Sequence, residues 1–217
     1  MGCVGSIIAE MSGPGLHRWS AALRSTAGTF TVLLALQCAV FASKAASTVD
    51  LDGRSVDLSH STAAAIVLFF TASDCPISNR YEPEMLRLER EFASSGVEFW
   101  WVYPNPGDTA EVIRQHQLQF SKSLHVIRDT QQSLVQMAHA TVTPEAAILV
   151  PANSALREVY HGRIDDRYIS FGQERPRAMH HQLEDAIAAF LAKHPIPKPG
   201  SPPVGCSIVP VDLSGRP

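Results

Sequence analysis

Charge is scarce in this sequence, and cysteine is scarcer. Asp, Glu, Lys and Arg make up 18% of 217 residues, and the formal net charge is −3. No basic cluster occurs in the body of the chain, so charge gives no ground for a nucleic-acid partner. There are nine histidines. Neither His-x-x-x-His nor Cys-x-x-Cys occurs, so no metal or other cofactor is expected from ligand spacing. His180-His181, with His116, His125, His139 and His161, read as packing or solvated histidines. No internal repeat is present. The longest apolar stretch, Thr29 to Ala42, is too short for a comfortable membrane span.

That stretch fits a targeting segment instead. His17, Arg18 and Arg24 form a basic region before it, and Val40-Phe41-Ala42 and Ser43-Lys44-Ala45 place small residues where a signal peptidase cuts. Residues 1–46 are expected to be a signal peptide or N-terminal membrane anchor, with cleavage around 42–46 and Met11 as an alternative start. A lipoprotein signal fits less well, because Leu36-Gln37-Cys38 puts Gln where a small residue is needed. The expected location is periplasmic or otherwise extracytoplasmic. Of the four cysteines, Cys3 and Cys38 would leave with the segment, and Cys75 and Cys206 would remain. Two cysteines in an exported protein could form a structural disulfide. However, Cys206 lies in a proline-rich tail with little structure to staple.

Cys75 has a reactive setting. The run Ala64 to Phe70 is short, continuous and rich in branched and aromatic residues, which predicts a buried strand. Thr71-Ala72-Ser73-Asp74-Cys75-Pro76-Ile77-Ser78 follows, and beyond it Met85, Leu86, Leu88 and Phe92 recur at helical spacing. Cys75 therefore sits where a strand hands over to a helix N-terminus. There the first N–H groups and the helix dipole favour the thiolate. Asp74 should oppose this by raising the thiol, with Arg80 as a neighbour that could offset it. Pro83 is expected to kink the helix or start its regular part, and Gly96 to stop it.

The other elements follow the same logic. Thr48 to Asp57 alternates around Asp52-Gly53 and predicts a small hairpin. Strands are expected at Val97–Tyr103, Leu124–Ile127, Ala146–Val150 and Leu156–Tyr160. Helices are expected from Asp108 or Thr109 as cap to about His116, at Gln131–Ala138 and at Met179–Leu191. This order predicts an α/β fold with a mixed central sheet and helices on both faces. The loop Gly162 to Tyr168, with its mixed charges, reads as fixed by its own ion pairs, the alternative being a substrate groove. From His194 the chain turns to Pro195, Pro197, Pro199, Pro202 and Pro203, an extended segment carrying Gly205-Cys206. At roughly 3.1 Å per residue it can fold back across a small domain.

Phe70-x-Ala72-x-x-Cys75-Pro76-x-Ser78 with Pro83 resembles the active-site segment of thioredoxin-fold proteins. It is most similar to periplasmic thioredoxin-like reductases and the redoxin group, which includes the alkyl hydroperoxide reductase/thiol-specific antioxidant family. Val142-Thr143-Pro144-Glu145 is similar to the cis-proline loop of that fold. The likeness covers about residues 48–193. It implies a thioredoxin-like three-layer α/β/α domain over 47–193, followed by a tail at 194–217. It also implies that Thr143 and Pro144 lie near Cys75 and bind substrate backbone, the alternative being a trans proline in an ordinary turn. Redoxin-like proteins with a Gly-Cys tail resemble this chain as well.

Two departures shape the functional reading. Ser78 stands where a dithiol member has its second cysteine. Leu68 and Ala72 stand where the peroxiredoxin pattern has Pro and Thr. The expectation is an exported thiol–disulfide oxidoreductase in which Cys75 attacks, Ser78 hydrogen-bonds the thiolate, and Cys206 resolves the intermediate. Its partner would be a protein thiol or disulfide, with an unidentified electron donor. The alternatives are a thiol peroxidase acting on peroxide, and a copper-binding protein using Cys75 and Cys206 as soft ligands.

Overall fold

The computed structural model describes residues 48–120 and 125–211. The expected targeting segment, and Leu124 as the start of a strand, lie outside the described residues. The central sheet is built on β1 (Ala65–Phe70), all six residues of which are buried. β2 (Val97–Tyr103) lies parallel to β1, and β3 (Val126–Arg128) parallel to β2. β5 (Glu145–Ala152) runs antiparallel on the other side of β1, and β6 (Ala155–Gly162) antiparallel to β5. The order is β3-β2-β1-β5-β6, a mixed sheet with β1 at its centre. The two-residue turn between β5 and β6 uses Asn153 and Ser154, both at positive φ, as a tight hairpin turn requires.

A buried strand with period 2 must feed two cores, and β1 does so. Val67 and Phe69 face one cluster with Phe99, Trp101 and Ile148. Onto it pack Tyr81, Met85 and Leu88 of α1 (Pro76–Phe92) and Leu183 and Ile187 of α4 (Gln182–Leu191). Ile66, Leu68 and Phe70 face the opposite cluster with Val102, Ile127 and Leu149. That side is covered by Leu58 from a short 3-10 turn, Leu134 of α3 (Ser133–Met137) and Ile208 of the tail. Each fully buried side chain of this size contributes about 1.5–3 kcal/mol, so both layers matter to stability. The result is the expected three-layer α/β/α arrangement.

The structure gives detail to three local expectations. The small hairpin expected at Thr48–Asp57 forms, with one antiparallel bridge, Val49 to Ser55, and backbone bonds from Val56 N to Thr48 O (2.9 Å) and from Asp50 N to Arg54 O (2.8 Å). Asp50 Oδ1 accepts from the N–H groups of Asp52 (2.9 Å) and Arg54 (2.8 Å), and Val49 also bridges to Arg128. The side chain and β3 thus take bonds that a longer ladder would use. Pro83 does not start the helix: α1 begins at Pro76 and runs through it. Of the two expected caps, Thr109 serves α2 (Ala110–Phe120): its Oγ1 accepts from Val112 N at 3.3 Å. Asp108 turns instead to the loop before Cys75. Two short pairs complete the fold. β7 (Tyr168–Ser170) pairs with β8 (Gln173–Glu174), and β4 (Val142–Thr143) pairs with β9 (Cys206–Ser207).

Candidate active site

Cys75 is the N-cap residue of α1, with extended backbone (φ −84°, ψ 111°) and Pro76 at the first helical position. Proline is favoured there because its missing N–H would have had no partner in the helix. The sulfur accepts from Ser78 N at 3.4 Å, the role an N-cap oxygen usually plays. The loop before it is pinned from below. Asp108 accepts from Ser73 N at 3.1 Å and from Ser73 Oγ, and Asn79 Nδ2 donates to Ser73 O at 3.4 Å. Asn79 Oδ1 meets His116 Nε2 at 2.7 Å, and His116 Nδ1 meets the Tyr103 hydroxyl at 3.0 Å. A neutral imidazole satisfies both contacts, and burial pushes His116 below its ordinary value.

The Thr143-Pro144 peptide bond is cis, and its loop lies against Cys75. The Cys75 thiol donates to Thr143 O at 3.1 Å. The tail returns to the same place. β9 is antiparallel to β4, with Cys206 opposite Thr143 and Ser207 opposite Val142. Both cysteines are free thiols, Cys75 buried and Cys206 half-buried. Thr143 thus accepts from the Cys75 thiol and is the register partner of Cys206, and the two thiols lie close enough for each to shift the other's acidity. All five residues expected at the site, Cys75, Ser78, Thr143, Pro144 and Cys206, therefore meet in one place.

The two sulfurs differ in acidity. Burial pushes the Cys75 thiol up, but hydrogen bonds from Cys206, from Ser78 and from Thr143 outweigh it, and the net direction is down. The balance between Asp74 and the helix N-terminus, left open by the sequence, therefore falls on the side of the thiolate. Arg80 is committed elsewhere, to Glu174 at 2.7 Å. The hydroxyls of Ser78 and Thr143 are buried with no well-aligned partner. They are rotatable donors held beside a sulfur that can become an anion. Cys206 goes the other way, to about 12. Burial raises it first, followed by its hydrogen bond to Cys75, the charge on Cys75 and the charge on Asp74.

Glu82 is a buried acid that the sequence reading passed over. It is 1% exposed on the packed face of α1, and burial pushes it up to about 7, opposed by the Trp101 indole. A carboxylate seven residues after Cys75, between Tyr81 and Met85 on an otherwise apolar stripe, was the available signal. The loop Gly162–Tyr168, expected to be fixed by its own ion pairs, is held mainly by hydrogen bonds to residues outside it. Asp165 accepts from the Tyr81 hydroxyl at 2.5 Å, Arg163 Nη2 donates to Tyr168 O at 2.7 Å, and Asp166 Oδ1 accepts from Met179 N and His180 N. Among the described residues, Glu84, His181 and Glu184 form the one cluster with metal-ligand proximity. Arg87 already sits between the two carboxylates, at 2.7 Å from Glu84 and closer still to Glu184, so the cluster reads as an ion-pair network.

No protein-family model matches the chain, and no curated protein matches it. Solved structures do. An uncharacterized conserved protein from Geobacillus kaustophilus aligns with a TM-score of 0.61 and 24% identity, over 75% of this chain and 86% of its own. A hypothetical protein from Sinorhizobium meliloti aligns with a TM-score of 0.57 and 21% identity, over 67% and 79%. A secreted disulfide oxidoreductase from Mycobacterium tuberculosis aligns at 0.44 and 13%, over 67% and 93%. At these identities the likeness concerns the fold alone. A parallel β-α-β unit entering from Cys75, a cis-proline loop, an antiparallel hairpin and a closing helix together make that fold thioredoxin-like α/β.

Proposed function

We propose that the chain is an exported thiol–disulfide oxidoreductase of the redoxin group, with Cys75 as nucleophile and Cys206 as resolving thiol. One observation supports this: the β4–β9 pair sets Cys206 opposite Thr143, the residue whose carbonyl accepts from the Cys75 thiol at 3.1 Å. The Cys75 thiolate attacks a client disulfide. A Cys75–client bond forms, the client's own S–S bond breaks, and the departing client thiolate takes up a proton. The Cys206 thiolate then attacks the Cys75 sulfur. The Cys75–Cys206 bond forms and the second client thiolate leaves. The client gains two electrons and the cysteine pair loses two. An external dithiol restores the pair, and the reverse sequence oxidises a client.

The acidities order these steps. While Cys75 is free, it is the better thiolate and Cys206 keeps its proton. Once Cys75 is in a mixed disulfide it carries no charge and accepts no bond as an anion. Two of the influences that hold Cys206 high then vanish, and the resolving thiol is activated only when there is something to resolve. The backbone of Thr143 and Pro144 binds the client beside the sulfur.

The test is reduction of a protein disulfide with dithiothreitol as donor. Cys75→Ala should abolish turnover. Cys206→Ser should stall at a Cys75–client mixed disulfide visible by mass spectrometry. Turnover that survives Cys75→Ala would refute the proposal. The adjacent sulfurs also suit Cu(I); equimolar copper retained against a chelator by the reduced protein, and lost in Cys206→Ser, would favour that second reading.

A further inference from the structure

The edge of β4 that a client would need is already occupied. β9 pairs with it in a single register, and Ile208 N extends the ladder to Thr141 O at 3.2 Å. The tail is anchored beyond the ladder. Gln132 Nε2 donates to Val209 O at 2.6 Å, Val209 N donates to Asn105 Oδ1 at 2.9 Å, and the Ile208 side chain is buried in the core. Gly205 fits only because it has no side chain: a Cβ there would lie 2.2 Å from Thr143 O and 2.6 Å from Thr143 C. Both contacts are with backbone, which cannot step aside. Cys75 beneath this strand is 1% exposed.

An extended strand with its cysteine opposite Thr143 and in contact with Cys75 has the form of a client. We propose that residues 204–209 are a resident client mimic. A client polypeptide reaches Cys75 by displacing this strand from β4, and the tail's return brings Cys206 back to resolve it. The same geometry sets selectivity. A client in the register of the tail must carry glycine immediately before its reactive cysteine, because any Cβ there meets the Thr143 carbonyl. The occupant is thus an extended polypeptide with a Gly-Cys pair whose sulfur is in a disulfide. This rests on the oxidoreductase reading above; the strand exchange itself makes and breaks only non-covalent contacts.

The experiment uses the full chain carrying Cys206→Ser, and measures the rate at which iodoacetamide alkylates Cys75. Adding Gly205→Val should release the strand and raise that rate about tenfold or more, as local opening of a protected site does. Asn105→Ala, which removes one anchor away from the sulfurs, should give a smaller rise. An unchanged rate in both variants would overturn the gating. Wild-type protein is then offered two disulfide-linked peptides, one copying residues 202–210 and one with the glycine replaced by valine. The glycine peptide should be reduced several-fold faster, and equal rates would overturn the selectivity. Reduction of neither peptide, with the alkylation contrast intact, would refute the oxidoreductase reading and its client, leaving the tail as a cover.

Discussion

A carboxyl group with no exposed surface must either pair its charge or give it up, and Glu82 gives it up. Its carboxyl is pushed up to about 7 by burial. Between the ordinary carboxylate range and pH 7 the folded chain therefore holds a proton that the unfolded chain has released. Stability must fall as pH rises through that window and level off above it. At 1.36 kcal/mol per unit the loss from this one group is about 3 kcal/mol by pH 8. Glu82→Gln should remove that slope and leave the protein more stable at pH 8 than the parent. Urea unfolding at pH 5 and pH 8 measures it, and an unchanged pH slope would count against the assignment. The place of Cys75 at a helix N-terminus was legible because a strand-to-helix junction is a local feature. The direction of its acidity was not, because Asp74 is a sequence neighbour whereas Cys206 and Thr143 come from far along the chain.

The element most dependent on one side chain is α3. Asp129 is fully buried, and its carboxylate accepts from Ser133 N (2.9 Å), Ser133 Oγ (2.9 Å), Leu134 N (2.9 Å) and Val135 N (3.0 Å). These are the first N–H groups of a five-residue helix, too short to hold itself in water. Asp129→Ala should cost about 2–3 kcal/mol, the value of a cap plus the buried donors it leaves behind. Urea unfolding reads the loss, and a change below about 0.5 kcal/mol, the range of a neutral surface substitution, would contradict it. Because α3 leads into β4, proteolysis near Thr141 should also become easier. Strands β1, β2, β5 and β6 were readable from their apolar runs and turn residues. β4 and β9 were not: a two-residue strand has no periodicity to read, and each exists only because the other is opposite it.

Across the whole molecule, the tail closes the largest loop. A bond between Cys75 and Cys206 would join residues roughly 130 apart, worth up to about 5 kcal/mol in a chain-entropy account. The oxidised protein should therefore withstand more urea than the reduced one, and Cys206→Ser should show no such difference. Equal midpoints for both redox states would mean that the bond does not form. The path of the tail is set by contacts no pattern announces. Gly162 (φ +146°) leaves room for Pro199, whose Cβ would be 2.6 Å from any side chain there, and Gly205 leaves room for Thr143 O. The prolines of the tail declared an extended segment able to fold back, because fixed φ angles are a property of the residue. Where it lands depends on two glycines, one buried isoleucine and a polar pair, Gln132 and Asn105, spread over the chain. The sequence by itself determined the α/β order and the strand and helix that flank Cys75, because these follow from local periodicity and residue type; the cis-proline loop was expected only from the family resemblance. Only the tertiary structure decided that Cys206 meets Cys75, that Glu82 is buried without a charge partner, and that the tail lies along β4. Each of those depends on contacts between residues distant in sequence, where no local preference acts.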